Sequence, residues 1–431
     1  MVADPRFIPR QGRVDDPHCA LSLAERDRRW DALRDGMDRL GLDCLFVWGR
    51  ARGQSGNVRW IDNGDAGERC LVFPRRADPV TLWTLGSWAR WYEQSCWEGV
   101  GYAGTEGCES VAAAALIGEF GHSSGTIGVV GLAGAGIAAE GSIPWFTWEN
   151  LRRLLPHARF RDAAPLLREL RMVKSAEELA LVGKAAEIAN LQFDAALRMV
   201  RPGVRERDVL VCMESAGLAA GAEQAGDFWT NLCSGKDFPT NRRASDRRLQ
   251  SGDLLQMGLY TRFGGYWAHP HYAISLGPLD AEYRPLREAV HEGTHDLLAA
   301  LRPGTPWREV ERAADAAVLR AGYYHEITQI HALGLDGSEP PAAPMTAGTL
   351  PARARRRRFE GSVRDLPAWR DFTATAPGTA AELTVQAGMV LALEVKATHE
   401  DRIFVEFGPQ VVVTPEGPHI LNPDAMDLME L

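Results

Sequence analysis

His269 and His271 stand two residues apart in GDLLQMGLYTRFGGYWAHPHY (Gly252 to Tyr272), which reads as two short strands around a Gly264–Gly265 turn. Side chains at that spacing share one face of a strand. Far downstream, His331 lies in IHALGLDGSEPP and Glu394 ends GMVLALE. Two or three imidazoles and one carboxylate, drawn from separate elements, are what a single divalent transition metal requires. The pattern points to metal chemistry.

Those residues need a scaffold, and the chain offers two. Ser22 with Glu25 has the form of a capping box, Trp30, Leu33, Met37 and Leu40 recur at helical spacing, and Gly41 supplies a stop. CLFVW (Cys44 to Trp48), CLVFP (Cys70 to Pro74) and VTLW (Val80 to Trp83) read as strands between Gly, Asp and Pro. Alternating helix and strand signals predict an α/β domain over 1–165 and a second domain over 166–431. There, a long helical stretch opens at Ser175 and Glu178 and ends at Arg201-Pro202-Gly203; a second Arg-Pro-Gly recurs at 302–304. Two helix–RPG–helix units, each followed by strand material, hint at an internal duplication. Residues 342–383, rich in Ala, Pro, Thr and Arg and carrying the run Arg355 to Arg358, read as an insert: a solvated loop, or an arm offering Arg donors to an anionic group.

A chain of 431 residues with 45% hydrophobic and 24% charged residues falls in the globular class. The net charge of −9 argues against nucleic-acid and membrane-surface partners, and no apolar run is long enough to span a bilayer. Seven scattered cysteines without a C-x-x-C pair, and an amino terminus lacking an apolar signal core, lead us to expect a cytoplasmic protein.

The motifs taken together resemble the creatinase, prolidase and methionine aminopeptidase superfamily. Arg171, Lys174, Ser175 and Glu178 match its Arg-x-x-Lys-Ser-x-x-Glu helix opening. SGDLLQMGLYTRFGGYW is similar to its first metal hairpin, HALGLDGSEPP to its histidine segment, QAGMVLALE to its Gly-Met-Val strand, and VVVTPEG to its closing strand. The resemblance implies an α+β fold: a pita-bread catalytic domain preceded by an α/β creatinase-like amino-terminal domain, in a homodimer. It also implies a departure. Of the two aspartates, one histidine and two glutamates of the family's two-metal site, the first aspartate falls on Gly258 and the second on His269. His331 and Glu394 are kept, and the last glutamate falls on or near Gly408, with Glu406 close by. A glycine carries no ligand atom, so an ordinary dinuclear aminopeptidase is not expected.

The expectation is therefore one divalent transition metal, Fe(II) favoured over Mn or Zn, on His269, His331 and Glu394. His271 would be a fourth ligand or the acid/base, Asn241 and Ser338 would orient a small-molecule substrate, and Glu406 and Trp229 would line its site. Hydrolytic or eliminative cleavage of a C–N or C–O bond follows by family analogy. The alternatives are O2-dependent oxidation at the same iron site, a metal-free creatinase-like hydrolase, or a non-catalytic binding module. Each histidine alone is more simply a buried imidazole bonded to a carbonyl; their coincidence with the family's ligand positions favours the metal. A further pattern, HEGTH (His291 to His295), fits the zincin motif on a helix, but five residues match readily by chance.

Overall fold

The computed structural model describes residues 21–49, 55–64, 69–83, 96–132, 141–224, 230–236, 238, 241–325, 329–342, 383–400 and 402–431. Trp229 and nearly all of the expected insert, including Arg355 to Arg358, lie outside the described residues. The chain divides into two compact units. One ends at Met172 and takes in Ala176–Leu181 and Gly334–Asp336; the other holds Val173–Ser175, Val182–Leu333 and Gly337–Leu431.

The first unit contains α1 (Leu23–Leu40), β1 (Cys44–Trp48), α2 (Ser55–Asp62), β2 (Cys70–Pro74), β3 (Val80–Trp83), β4 (Gly101–Gly104), α3 (Glu109–Glu119), β5 (Thr126–Val130), α4 (Trp145–Leu154), β6 (Arg159–Asp162) and α5 (Ala164–Met172). Its strands form one mixed sheet in the order β4-β3-β2-β1-β5-β6. Central β1, β2 and β5 are buried along their whole length, which is why they read as unbroken apolar runs. The unit extends through α5 because Gly36 of α1 leaves the space that Leu166 fills. The expected capping box is half formed. Ser22 Oγ accepts the Glu25 N–H at 3.1 Å, but the Glu25 carboxylate turns to Arg28 and Arg29, and the Ser22 N–H goes to Glu177. The helix-opening motif is a set of buried pairs: Arg171 with Asp336 (2.7 Å) and Asn57, Lys174 with Glu339 (3.1 Å), and Glu178 with Arg29 (3.2 Å).

The second unit contains most of α6 (Ala176–Met199), then α7 (Glu206–Ala219), β7 (Asn231–Gly235), β8 (Leu254–Gly258), β9 (Thr261–Phe263), β10 (Tyr266–Ala268), β11 (His271–Ser275), α8 (Arg284–Ala300), α9 (Trp307–Arg320), β12 (Ile330–Ala332), β13 (Glu339–Ala342), β14 (Val390–Leu393), β15 (Val395–His399), β16 (Ile403–Phe407), β17 (Gln410–Thr414), β18 (Gly417–Ile420) and β19 (Met429–Glu430). Its longer sheets run β19-β11-β8-β7 and β13-β12-β14-β17-β18, with β9–β10 and β15–β16 as two-stranded ribbons. Ala185, Ala189 and Phe193 of α6 and Val209 and Met213 of α7 pack on Leu255, Met257, Tyr272 and Ile274; Phe193 stacks on Tyr272 at 3.9 Å between ring centroids.

The hydrogen bonds of this unit repeat. Gly203 N–H donates to Leu249 O (2.8 Å) and Leu249 N–H to Val204 O (2.8 Å); Gly304 N–H donates to Val385 O (2.9 Å) and Val385 N–H to Thr305 O (2.8 Å). Gly252 N–H donates to Leu276 O and Leu276 N–H to Asp253 O, as Gly388 N–H donates to Val413 O and Val413 N–H to Met389 O. Both RPG glycines have φ +91°, a left-handed turn that favours glycine. The second unit is thus a duplicated motif. Carried along the strands, the repeat makes Gly258 the counterpart of Glu394, Tyr260 of Lys396, His269 of Glu406, His271 of Gly408, and Cys233 of His331.

Candidate metal centre

Three interruptions of the strands fall at one level of the second unit. His269 and Pro270 separate β10 from β11; Glu394 separates β14, which pairs with β12 and β17, from β15, which pairs with β16; Gly408 and Pro409 separate β16 from β17. Proline carries no N–H for a ladder, so Pro270 and Pro409 suit such breaks. His271 and Gly408 close the level by exchanging backbone hydrogen bonds of 2.9 and 3.1 Å.

Three glutamines bridge the gaps that the breaks leave. Gln410 Oε1 accepts the His269 N–H (3.1 Å) and its Nε2 donates to Trp267 O (3.3 Å). Gln329 brackets Lys396, accepting its N–H (2.7 Å) and donating to its carbonyl (3.2 Å), while the Glu394 N–H donates to the Gln329 carbonyl (2.9 Å). Gln256 accepts the Glu406 N–H (2.7 Å) and donates to Phe404 O (2.9 Å). Each amide satisfies backbone groups whose burial would otherwise be costly, and each fixes a strand that carries a site residue.

The side chains meet at Glu394. Its Oε1 lies 2.8 Å from His269 Nε2, 2.7 Å from His331 Nε2 and 3.8 Å from His271 Nε2, and the last is 3.0 Å from His269 Nε2. Among the described residues, His269, His271 and Glu394 form a group whose ligand atoms all lie within 4.8 Å of one another, with His331 joined through the Glu394 oxygen. Proton placement decides what this means. His269 Nδ1 is 2.6 Å from Leu259 O and His331 Nδ1 is 2.9 Å from Ala332 O; carbonyls only accept, so both Nδ1 atoms carry hydrogen. His271 Nδ1 lies 3.0 Å from Glu406 Oε1, an ion-pair contact. In the neutral rings, the Nε2 lone pairs of His269 and His331 then meet one anionic oxygen, with His271 Nε2 beside that of His269. Outer acceptors that fix imidazole tautomers and leave Nε2 free are the usual surroundings of metal-bound histidine. The donor set fits a divalent cation.

The electrostatics agree. Burial works to raise the Glu394 carboxyl, yet His331 and His269 hold it well below the usual carboxylate range. Burial likewise works against charge on His331 and His271, but Glu394 lifts the first and Glu406 with Glu394 lifts the second. At His269 burial prevails and its value is lowered. The acids that draw positive charge onto His331 and His271 would also favour a metal cation.

Residues 180–415 match the family described as metallopeptidase family M24, and residues 29–173 match the creatinase/prolidase N-terminal domain. The chain belongs to the M24 metallopeptidases. It is 28% identical over 208 residues to the Xaa-Pro dipeptidase of Pyrococcus furiosus, 48% of this chain and 60% of that protein. It is also 28% identical over 216 residues to the agropine synthesis cyclase of Rhizobium rhizogenes, 47% of this chain and 54% of that one. The chain thus aligns with no more than about three fifths of these curated relatives' length. Among solved structures, the Xaa-Pro dipeptidase from Bacillus anthracis has a TM-score of 0.73 at 17% identity, covering 94% of this chain and 100% of that one. The prolidase from Pyrococcus furiosus has 0.68 at 21%, covering 90% and 98%. At those identities the structures establish the M24 fold, a creatinase-like domain followed by a pita-bread domain.

Within this M24 domain, the three expected ligands His269, His331 and Glu394 come together. His271, expected as a fourth ligand or the acid/base, faces the same cluster through Nε2. Two further expectations are corrected. Glu406, expected to line a substrate site, is 2% exposed and engaged by His271 and by Asn241 Nδ2 (2.5 Å). Asn241, expected to orient substrate, therefore orients Glu406. Ser338 lies in the β12–β13 connection, and its buried Oγ has no hydrogen-bond partner among the described residues. HEGTH falls on α8 with His291 46% exposed and 3.8 Å from Asp427, Gly293 packed toward Val395 and Glu292 paired with Arg320; among the described residues its histidines belong to no metal-compatible group.

Sequence reading missed Tyr260, whose ring stacks on His269 at 3.7 Å, and Lys396, fully buried opposite Glu406 with Nζ 4.1 Å from the Phe404 ring centroid. A lysine two residues past a ligand glutamate, inside an otherwise apolar strand, was the available signal for the second.

Proposed function

We propose that this M24 protein is a metal-dependent enzyme that cleaves a C–N or C–O bond in a small, non-peptide molecule, with one divalent transition metal bound by His269, His331 and Glu394. The observation that carries the reading is the meeting of imidazole Nε2 atoms, each with Nδ1 tied to an acceptor, at one Glu394 oxygen. Such an ion supplies Lewis acidity, polarising the group under attack. Leu259 O and Ala332 O hold two of the rings in the tautomer that leaves Nε2 free, and Tyr260 covers one face of His269. Ser338, with a buried hydroxyl free of protein partners among the described residues, is assigned to the substrate's polar group.

The similar proteins include dipeptidases and one cyclase, so fold membership leaves the bond type open. The discriminating experiment loads the purified protein separately with Mn(II), Zn(II) or Fe(II) and assays Xaa-Pro dipeptides beside small amides, lactones and amidines. Turnover of a non-peptide panel member and none of the dipeptides is expected; efficient dipeptide hydrolysis would refute the reading. The imidazole-rich ligand set favours a second reading, oxidation by Fe(II) and O2. That reading predicts activity with iron alone, lost under anaerobic conditions. A protein that binds no metal and turns nothing over is a binding module.

A further inference from the structure

We infer that this site holds one cation, and that His271, seated where a side chain at position 258 would stand and backed by Glu406, takes the place of a second. The inference rests on the reading that the site binds metal. A Cβ built on Gly258 would lie 2.6 Å from His271 Cε1 and 3.0 Å from its Nδ1, so the imidazole already fills that space. The ring spans two carboxylates: Nδ1 is 3.0 Å from Glu406 Oε1, and Nε2 faces Glu394 Oε1 at 3.8 Å and His269 Nε2 at 3.0 Å. An imidazole thus lies between the two acids that a second cation would have to bridge.

Charge balance leads to the same result. Two divalent ions a few ångströms apart repel and need several anionic ligands around and between them. The duplicated motif supplies acids from one half alone, Glu394 and Glu406, because their counterparts are Gly258 and His269. Glu406 is already met by His271 and by the Asn241 amide, with Lys396 buried across the strand pair. Gly408 offers no alternative, since a Cβ there would run into the Leu393 carbonyl oxygen. His271 is therefore a ligand, and Glu406 and Asn241 are positioning residues that act through it.

The test uses the full chain, stripped of metal and titrated with Co(II), reading stoichiometry by equilibrium dialysis and coordination by visible absorption. One equivalent is expected. Glu406→Gln, which keeps shape and removes the charge behind His271, should weaken Co(II) binding about 10- to 100-fold and alter the absorption band. Gly258→Ala should push the His271 ring aside and cost at least about 10-fold, whereas Gly183→Ala, which adds a methyl group to open space, should change nothing. Circular dichroism establishes that each variant is folded. Unchanged affinity and spectrum in both Glu406→Gln and Gly258→Ala would overturn the inference while leaving the proposed function standing; two equivalents in the parent protein would overturn the inference and the single-metal part of the proposed function, leaving metal-dependent cleavage to the substrate panel. Zero equivalents would overturn both.

Discussion

In the first repeat of the second unit Gly258, Tyr260, His269 and His271 stand where the second repeat has Glu394, Lys396, Glu406 and Gly408. The ribbons even share a register, residue 260 stacking on His269 and residue 396 lying opposite Glu406. One repeat supplies imidazole and phenol rings and a gap; the other supplies both acids and a buried lysine. The backbone hydrogen bonds are nearly the same in the two, so the frame fixes where ligands stand and the side chains alone decide what is bound. A similar contrast recurs at the helices after the two RPG turns: Glu206 N–H bonds to Arg247 O as Trp307 N–H bonds to Leu383 O, placing a buried carboxylate in one half and a buried indole in the other.

The comparison can be broken at several strengths. The largest effect belongs to the acidic repeat. Glu394→Gln removes the anion at which the Nε2 atoms meet, and metal binding should fall below detection in a folded protein; isothermal titration with Co(II) or Mn(II) checks this. Next comes Glu206, which accepts hydrogen bonds from Arg242, Ser245 and Ser234. Burial opposes its ionisation, but Arg242 and then the serines bring its carboxyl down from 4.5 to about 2. A lowered folded-state value stabilises fully above about pH 4.5 and is lost as pH falls toward 2. Glu206→Gln should therefore cost about 3 kcal/mol at pH 7 and flatten the stability profile between those limits, as urea melts across pH would show. If the variant melts like the parent at pH 7, the clamp contributes nothing.

A smaller effect is expected at the seams. Gln329→Ala strips both backbone groups of Lys396 of their side-chain partner and should destabilise by about 1–3 kcal/mol, with weaker metal binding because the strand two residues past Glu394 is loosened, although the Glu394 N–H keeps the main-chain carbonyl of residue 329. Unchanged metal affinity would show that β14 and β15 hold Glu394 without the amide. Smallest of all, His291→Ala on the solvent side of α8 should stay within about 0.5 kcal/mol in stability and leave metal binding untouched. Loss of metal in that variant would relocate the centre to the HEGTH helix.

Much of this was legible in the chain because ligands sit in short strings with distinctive neighbours. His269 and His271 flank a proline after a Gly-Gly turn, Glu394 ends an apolar strand, and the missing acid at Gly258 is plain from the hairpin motif. What was hidden depends on which strand lies beside which. Nothing in HPHY says that the second imidazole leans over Gly258, because that contact is set by the β8–β11 register. Gln256, Gln329 and Gln410 read like any strand glutamine, since a bridging amide and a solvated one have the same neighbours in sequence. Glu406 was misread for the same reason: its cross-strand partners, not its own segment, turn it inward onto His271 and Asn241. The RPG repeat did foreshadow the duplication, but only paired hydrogen bonds align the halves residue by residue.

The most direct test is a crystal structure of the Co(II)-loaded protein with anomalous differences collected at the cobalt edge. The account predicts a single peak per chain, about 2.0–2.2 Å from Nε2 of His269, His271 and His331 and from a Glu394 oxygen. A pair of peaks about 3.5–4 Å apart, or a lone peak on residues elsewhere in the chain, would contradict it.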